Sequence, residues 1–397
     1  VREEVAEMKP SYGSSRLGIY EPNVFTFIHN LKQKMLIKSN RSLIDLSIGA
    51  PNRPTPAWII HELQDQVSKP QFHSYPPPHG CSELRESIAH WYKKRFRVTI
   101  DPDRNVLVTI GVKEAIANSL LALVNPGDGV LVPDPGYPTY FDGALFAGAR
   151  LLSYKSDFDE EFVFEEIEKK VLLFQPKIII VSYPCNPTGR MVTSSFYQKL
   201  ALLSKKENLI VISDLAYSEI TFDGLTAPSY LESLTPEMAG IEYFTFSKTY
   251  NMAGWRLGAI VGSESLVNPV KLYKSKIDSN VFYPIQLAGV CALEKTPDSY
   301  YQELKVFYEE RRNILCSGFD DVGLSYTPAQ GAIYIWLKTP KDMDSFEFTK
   351  ELFINTGILV VPGNGYSMEG GDYVRVGLVQ EAPQLIEAVQ RLKEWLK

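Results

Sequence analysis

"KIIIVSYPCNPTGRMVTSSFYQKLALLSKKENLIVISDLAY", residues 177–217, holds two short apolar runs separated by one amphipathic segment. "KIIIVSY" (177–183) and "LIVIS" (209–213) are nearly continuous in Ile, Leu and Val, the pattern of strands buried on both faces. Between them, "SFYQKLALLSKKE" repeats its apolar residues at helical spacing. The same unit recurs outward from this stretch. "NVLVTI" (105–110), "GVLVP" (129–133), "EYFTFS" (242–247) and "LGAIVG" (257–262) are further strand candidates, and "KEAIANSLLALV" is another helix. This alternation predicts an α/β large domain whose mostly parallel central sheet is flanked by helices.

The pattern changes toward both ends. Residues 1–22 read as a polar arm closed by Pro22, and from Asn23 the residues Val24, Phe27, Ile28, Leu31 and Met35 recur at helical spacing. Near the other end, a long helix pattern, "SYYQELKVFYEERRNILCSGF", precedes strands "GAIYIWL" (331–337), "ILVVPG" (358–363) and "YVRVGLV" (373–379). A last amphipathic helix uses Leu385, Ala388, Val389, Leu392 and Trp395. We therefore expect a smaller α+β domain built from the two termini. The division is an arm at 1–22, a small domain at 23–48 and 285–397, and a large domain at 49–284.

Bulk properties exclude several functions. The 397 residues carry a net charge of -6, which argues against a nucleic-acid or anionic-membrane partner. Cys81, Cys185, Cys291 and Cys316 are far apart with no C-x-x-C pair, so a disulfide framework or a cysteine metal site is not expected. The five histidines form no H-E-x-x-H arrangement, and no metal is predicted. "VREEVAEMKPSYGSSR" lacks the apolar core of a signal peptide. No apolar run reaches the roughly 18 residues of a membrane span. The expected location is cytoplasmic.

Ligands of open α/β sheets bind beyond the carboxyl ends of the strands, where each turn here carries a polar residue. After 105–110, Gly111 opens a helix whose first amides, at Val112 and Lys113, would receive an anion; a plain glycine turn is the other reading. After 129–133, prolines 133, 135 and 138 fix the backbone around Tyr137, whose ring would either stack on a flat heterocycle or simply pack. Asn186, between Pro184 and Pro187, is a candidate amide donor or an Asn-Pro turn. Asp214 leaves an apolar strand and either needs a charged partner or caps a helix, with Tyr217 three residues on. In "FTFSKTYNMAGWRLG" (244–258), Thr245 and Ser247 flank Lys248, and Arg256 follows. Arg375, between Val374 and Val376, is either an edge-strand surface residue or a carboxylate receptor.

An anion nest, a fixed ring, an amide donor, a carboxylate and a lysine flanked by hydroxyls match one cofactor, pyridoxal 5'-phosphate. At this point the chain resembles the class I/II aminotransferases of the fold-type I pyridoxal-phosphate group. "SKTYNMAGWRLG", "YPCNPTG", "DLAYSEI" and "PGYPTY" carry the resemblance, and it runs from "DLSIGAPNRPTP" to "DYVRVGL". "SYPPPHG", "WYKKRF", "PGDGVLVPDPGYPTY" and "PGNGY" are similar to the LL-diaminopimelate and aspartate aminotransferase-like branch. Departures such as "GAPNRP" and "PPPHG" leave the donor open. The resemblance implies that Lys248 carries the cofactor as a Schiff base and then acts as acid and base. Asp214 would pair with the ring nitrogen, Tyr217 and Asn186 would bond the phenolic oxygen, and Tyr137 would stack on the ring. The phosphate would be held by Thr245, Ser247, Arg256 and the amides of residues 111–113. The family's small residue at Val112 is absent, so only a backbone contact is implied there. Tyr75 would reach the phosphate in the partner subunit of a homodimer. Arg375 would take the substrate carboxylate, with Ile48 and Gly49 close by and Asn186, Tyr20 and Asn280 as further pocket candidates.

The implied reaction is ping-pong transfer of an amino group from an L-amino acid to a 2-oxo acid. A carbon–sulfur β-lyase on the same scaffold is the alternative. A non-catalytic cofactor-binding regulator fits less well, because the residues ahead of the domain are too few for a DNA-reading module. A nucleotide enzyme lacks its motifs: there is neither a G-x-G-x-x-G after a strand nor a G-x-x-x-x-G-K-[ST].

Overall fold

Every residue of Ile178–Ser182, Val106–Thr109 and Gly258–Gly262 is buried, as strands covered on both faces must be. The computed structural model describes residues 24–36, 42–341 and 343–396. It opens with α1 (Val24–Leu36), β1 (Ile44–Asp45), α2 (Ala57–Val67) and α3 (Ser82–Phe96). Strands and helices then alternate through β2 (Val106–Thr109), α4 (Gly111–Leu123), β3 (Gly129–Asp134), α5 (Pro138–Phe146), β4 (Arg150–Lys155) and α6 (Glu160–Phe174). Next come β5 (Ile178–Ser182), α7 (Ser194–Glu207), β6 (Ile210–Asp214), β7 (Gly240–Thr245), β8 (Gly258–Gly262), α8 (Glu264–Lys274) and α9 (Tyr283–Lys295). The remainder holds α10 (Asp298–Asp321), β9 (Tyr326–Thr327), β10 (Tyr334–Lys338), α11 (Ser345–Thr356), β11 (Ile358–Leu359), β12 (Val361–Pro362), β13 (Tyr373–Gly377) and α12 (Ala382–Leu396).

The larger sheet has the order β2-β8-β7-β6-β5-β3-β4. Only β8 runs against its neighbours, so the mostly parallel sheet expected from the alternation is what forms. One face is covered by α3, α6, α7 and α9 through residues such as Leu84, Ile88, Ile167, Leu200 and Ala288. The other is covered by α4, α5 and α8 through Ile116, Leu120, Ala144, Leu266 and Val270. The seventh strand, β4, is absent from the sequence reading; it sits at the sheet edge and is only partly buried.

The second sheet is antiparallel, in the order β12-β13-β10-β9, and packs against α10, α11 and α12. Val24 and Ile28 of α1 join Trp336, Phe353 and Tyr366, and β1 pairs in parallel with β11. Segments near both ends of the chain thus build one layer. "ILVVPG" divides, with Ile358–Leu359 pairing β1 and Val361–Pro362 pairing β13. The two sheets are tied where β10 begins: Ala332 N donates to Ile220 O (2.9 Å) and Gly331 N to Gly189 O (3.0 Å). Gly189 has φ +70°, and a Cβ there would lie 2.8 Å from Gly331 O, so the tie needs glycine. Among the described residues, no helix is long and apolar enough to cross a membrane.

Candidate active site

Because β8 alone is reversed, Thr109, Thr245, Asp214, Ser182 and Asp134 all end their strands at one edge of the sheet. Beyond Thr109 the chain turns at Gly111 (φ +72°) into α4. A Cβ at position 111 would lie 2.2 Å from Arg256 Nη2, so the guanidinium occupies the space a side chain would fill. Arg256 Nη1 donates to Ala253 O (2.8 Å). Thr245 pairs with Gly258, and a Cβ on Gly258 would meet the Gly111 backbone at 3.3 Å. Ser247 N donates to Thr245 Oγ1 (3.1 Å), fixing the two hydroxyl residues beside each other. The fold therefore gathers Gly111, Thr245, Ser247 and Arg256 at the amino end of α4. Val112 and Lys113 occupy its first turn, and Lys113 is exposed. Unpaired helix amides, two hydroxyls and a guanidinium form a donor set suited to a phosphate.

Next along the edge, Asp214 is buried and accepts from Tyr140 Oη at Oδ2 (2.6 Å) and from Ala216 N at Oδ1 (3.2 Å). Burial pushes its carboxyl up to about 6, against the opposing hydrogen bonds of Tyr140 and Ala216 and the charge of Lys248. Half-buried Tyr137 precedes α5 and meets Tyr140 edge to face, with ring centroids 5.6 Å apart.

Lys248 Nζ donates to Gly49 O at 2.5 Å and lies 5.5 Å from the centre of the Tyr217 ring. Gly49 O also accepts from Tyr334 Oη (3.0 Å), which is 3.1 Å from Tyr217 Oη. A Cβ at Gly49 would lie 3.1 Å from Tyr334 Oη and 3.2 Å from Arg375 Nη2, so this close approach is made by backbone alone. Arg375 is not on an edge: β13 lies between β12 and β10, and the residue is 3 % exposed. Its Nη2 donates to Ser47 O (2.9 Å) and its Nη1 to Asn186 Oδ1 (3.3 Å), while its buried Nε has no partner within the structure. A buried guanidinium with an unused donor is prepared for a carboxylate.

Other predicted residues lie elsewhere. Ile48, beside Gly49, is 43 % exposed, and Tyr75 is 88 % exposed in the loop before α3. Asn280 lies between α8 and α9 with its Nδ2 bonded to Pro78 O (2.9 Å). Tyr20 lies outside the described residues. Three site tyrosines are missing from the sequence reading: Tyr140 on Asp214, and Tyr334 and Tyr366, whose rings lie 4.1 and 4.7 Å from the Arg375 guanidinium. Tyr140 ends the motif "PGYPTY", which was the available signal.

The model for "Aminotransferase class I and II" matches residues 41–392. The chain belongs to the class I and II aminotransferases. It is 38 % identical to the LL-diaminopimelate aminotransferase of Aquifex aeolicus, covering 96 % of this chain and 98 % of that protein. It is 34 % identical to the glutamate-pyruvate aminotransferase AlaC of Escherichia coli, over 98 % and 95 % of the two chains. Substrate-bound BacF from Bacillus subtilis superposes with a TM-score of 0.90 at 31 % identity, covering 97 % of this chain and 98 % of that one. Aminotransferases of this class depend on pyridoxal 5'-phosphate, so this protein is a pyridoxal-phosphate-dependent transaminase. The residues present fit that cofactor: a cradle at Gly111 for the phosphate, a buried carboxylate for a ring nitrogen, and an amine within the same pocket.

Proposed function

We propose that this aminotransferase acts on an L-α-amino acid and a 2-oxo acid through Lys248, with Arg375 as the carboxylate receptor. The observation that carries the reading is that the Lys248 amine bonds Gly49 O while the Arg375 guanidinium fills the space where a side chain at Gly49 would begin, so amine and guanidinium face one small pocket. Bound pyridoxal phosphate supplies an electron sink for the carbon that loses its proton. Gly111, the amides of residues 112 and 113, Thr245, Ser247 and Arg256 would hold its phosphate. Asp214 would face the ring nitrogen, Tyr137 the ring face, and Tyr217 and Asn186 the phenolic oxygen.

The chain's own chemistry then follows. Arg375, whose Nε is left without a partner, receives the substrate carboxylate and orients the Cα–H bond toward Lys248 Nζ. Lys248 Nζ takes that proton and holds it beside the Gly49 carbonyl until it is returned. The rings of Tyr217 and Tyr334 wall one side of the amine. Among donors, LL-diaminopimelate, glutamate and aspartate are the first to test, since two relatives and one structural neighbour carry such names.

The same reading makes the protein a homodimer whose partner supplies Tyr75, a side chain left 88 % exposed in one subunit. It is cytoplasmic, which suits four thiols that are all unpaired. The division into an arm, a small and a large unit is part of the proposal, with α9 placed in the large unit because Ala288 and Ala292 pack in its core. The decisive experiment replaces Lys248. Purified wild type shows visible absorbance that Lys248→Ala loses; an unchanged spectrum removes the assignment. Conversion of the wild-type spectrum by a panel of amino acids then identifies the donor.

A further inference from the structure

We propose that Tyr334 is a positioning residue for the transamination. Its hydroxyl sets where the Lys248 amine and the Tyr217 proton rest, and its ring sets the plane of Arg375. The inference rests on the reading that Lys248 carries the cofactor.

Tyr334 begins β10 and is 1 % exposed. The tie of Ala332 N to Ile220 O brings it against the loop that carries Tyr217. A phenol has one proton. Tyr334 places it on Gly49 O, so toward Tyr217 it acts as acceptor, and the proton between the two phenols is Tyr217's. Tyr217 is thereby held with its donor pointing at Tyr334 until a stronger base faces it. A carbonyl oxygen offers two lone pairs. With Tyr334 on one of the Gly49 pairs, the Lys248 ammonium is confined to the other. On its ring side Tyr334 stacks with the Arg375 guanidinium at 4.1 Å, a cation–π contact between two buried side chains.

The electrostatics agree with that geometry. Burial pushes the phenol of Tyr217 up. For Tyr334 the same burial is outweighed by the Lys248 ammonium, the Arg375 guanidinium and the hydrogen bond with Tyr217, and its phenol is drawn down. The phenols of Tyr137, Tyr308 and Tyr366 also lie close enough to feel its charge. Tyr334 thus touches both the amine's acceptor and the carboxylate receptor's face.

Two substitutions separate the hydroxyl from the ring. Tyr334→Phe removes one oxygen and keeps the stack. In the holoenzyme, the pH midpoint of its visible band moves by about half a unit or more. Turnover with the donor selected by the amino-acid panel falls about tenfold, and KM stays within about twofold. Tyr334→Leu adds a rise in KM of about tenfold, because Arg375 loses its supporting face. Tyr217→Phe supplies an independent check that needs no Leu variant: its shift and that of Tyr334→Phe combine non-additively in the double variant. A Tyr334→Phe band that titrates like wild type with unchanged turnover overturns the inference and leaves the Lys248 reading standing, and additive shifts do the same. A wild-type protein without a visible band overturns both.

Discussion

Among the described residues no cation pairs with Glu242, yet every residue of β7 including Glu242 is buried. Its carboxylate accepts four hydrogen bonds, from Tyr92 Oη (3.0 Å), Ser229 Oγ (2.8 Å), Ser213 Oγ (3.0 Å) and Tyr230 N (3.1 Å). Burial dominates nonetheless and pushes it up to about 7, from an ordinary 4.5. The folded chain therefore binds this proton more tightly than the unfolded chain. The resulting stability is fully present below 4.5 and is lost as pH rises through about 7. Glu242→Gln removes the titration and keeps the shape: the new amide donates to Tyr92 Oη and Ser229 Oγ, both of which can accept, while Ser213 and Tyr230 keep an oxygen. Thermal midpoints of wild type should fall relative to the variant between about pH 5 and pH 8, by the equivalent of a few kcal/mol at most. Parallel curves for the two proteins would refute this account. Asp214, raised to about 6 by burial, adds a second loss of the same sign in protein free of cofactor.

Elements differ in how plainly their sequences announce them. α11 is marked at both ends: Asp344 Oδ1 accepts from Phe346 N and Glu347 N (2.9 Å each), and Gly357 at φ +73° closes it. Asp344→Ala should cost about 1 kcal/mol, read as a lower urea midpoint with an unchanged slope. A midpoint equal to wild type would mean the cap is idle. The strands β2, β3, β5, β6 and β8 were legible because each is a nearly continuous apolar run, and β7 because aromatic residues flank its one carboxylate. β4 was not, since "RLLSYK" at the sheet edge buries Tyr154 and leaves Arg150 and Lys155 exposed, a pattern shared with loops. "GAIYIWL" was read as strand from Gly331, but β10 starts only at Tyr334: Gly331 and Ala332 serve the tie to Gly189 and Ile220, and Ala332 takes φ +63°. That shift hides the role of Tyr334, which the pattern presents as one more apolar strand residue. Lys248, Asp214 and Asn186 were found because Asp214 ends β6 and the other two lie in the turns just beyond the carboxyl ends of β7 and β5. Tyr140 and Tyr366 escaped because a buried phenol's partner depends on distant chain, not on its neighbours in sequence.

At the scale of the whole molecule, each proposed site draws on two copies of the chain, which can be tested by mixing. Subunits carrying Lys248→Ala and subunits carrying Tyr75→Ala should each be poorly active. Refolded together at equal amounts, they give mixed dimers in which one site has both original residues. Activity should recover to about one quarter of wild type, as random pairing into two-fold dimers requires. No recovery would show that Tyr75 acts within its own subunit or not at all. The reversal of β8 has a further consequence. Since that strand enters the sheet from the rim where its neighbours leave, its first residue, Gly258, and Gly111 in the turn beyond β2 are delivered to the same lip. A Cβ on Gly258 would lie 3.3 Å from the Gly111 backbone and 2.9 Å from Phe244 O, so a methyl group there must push its neighbours aside. An alanine at position 258 would therefore wedge the mouth of α4 open while the hydrophobic interior stayed filled, leaving a folded protein that had lost its grip on phosphate.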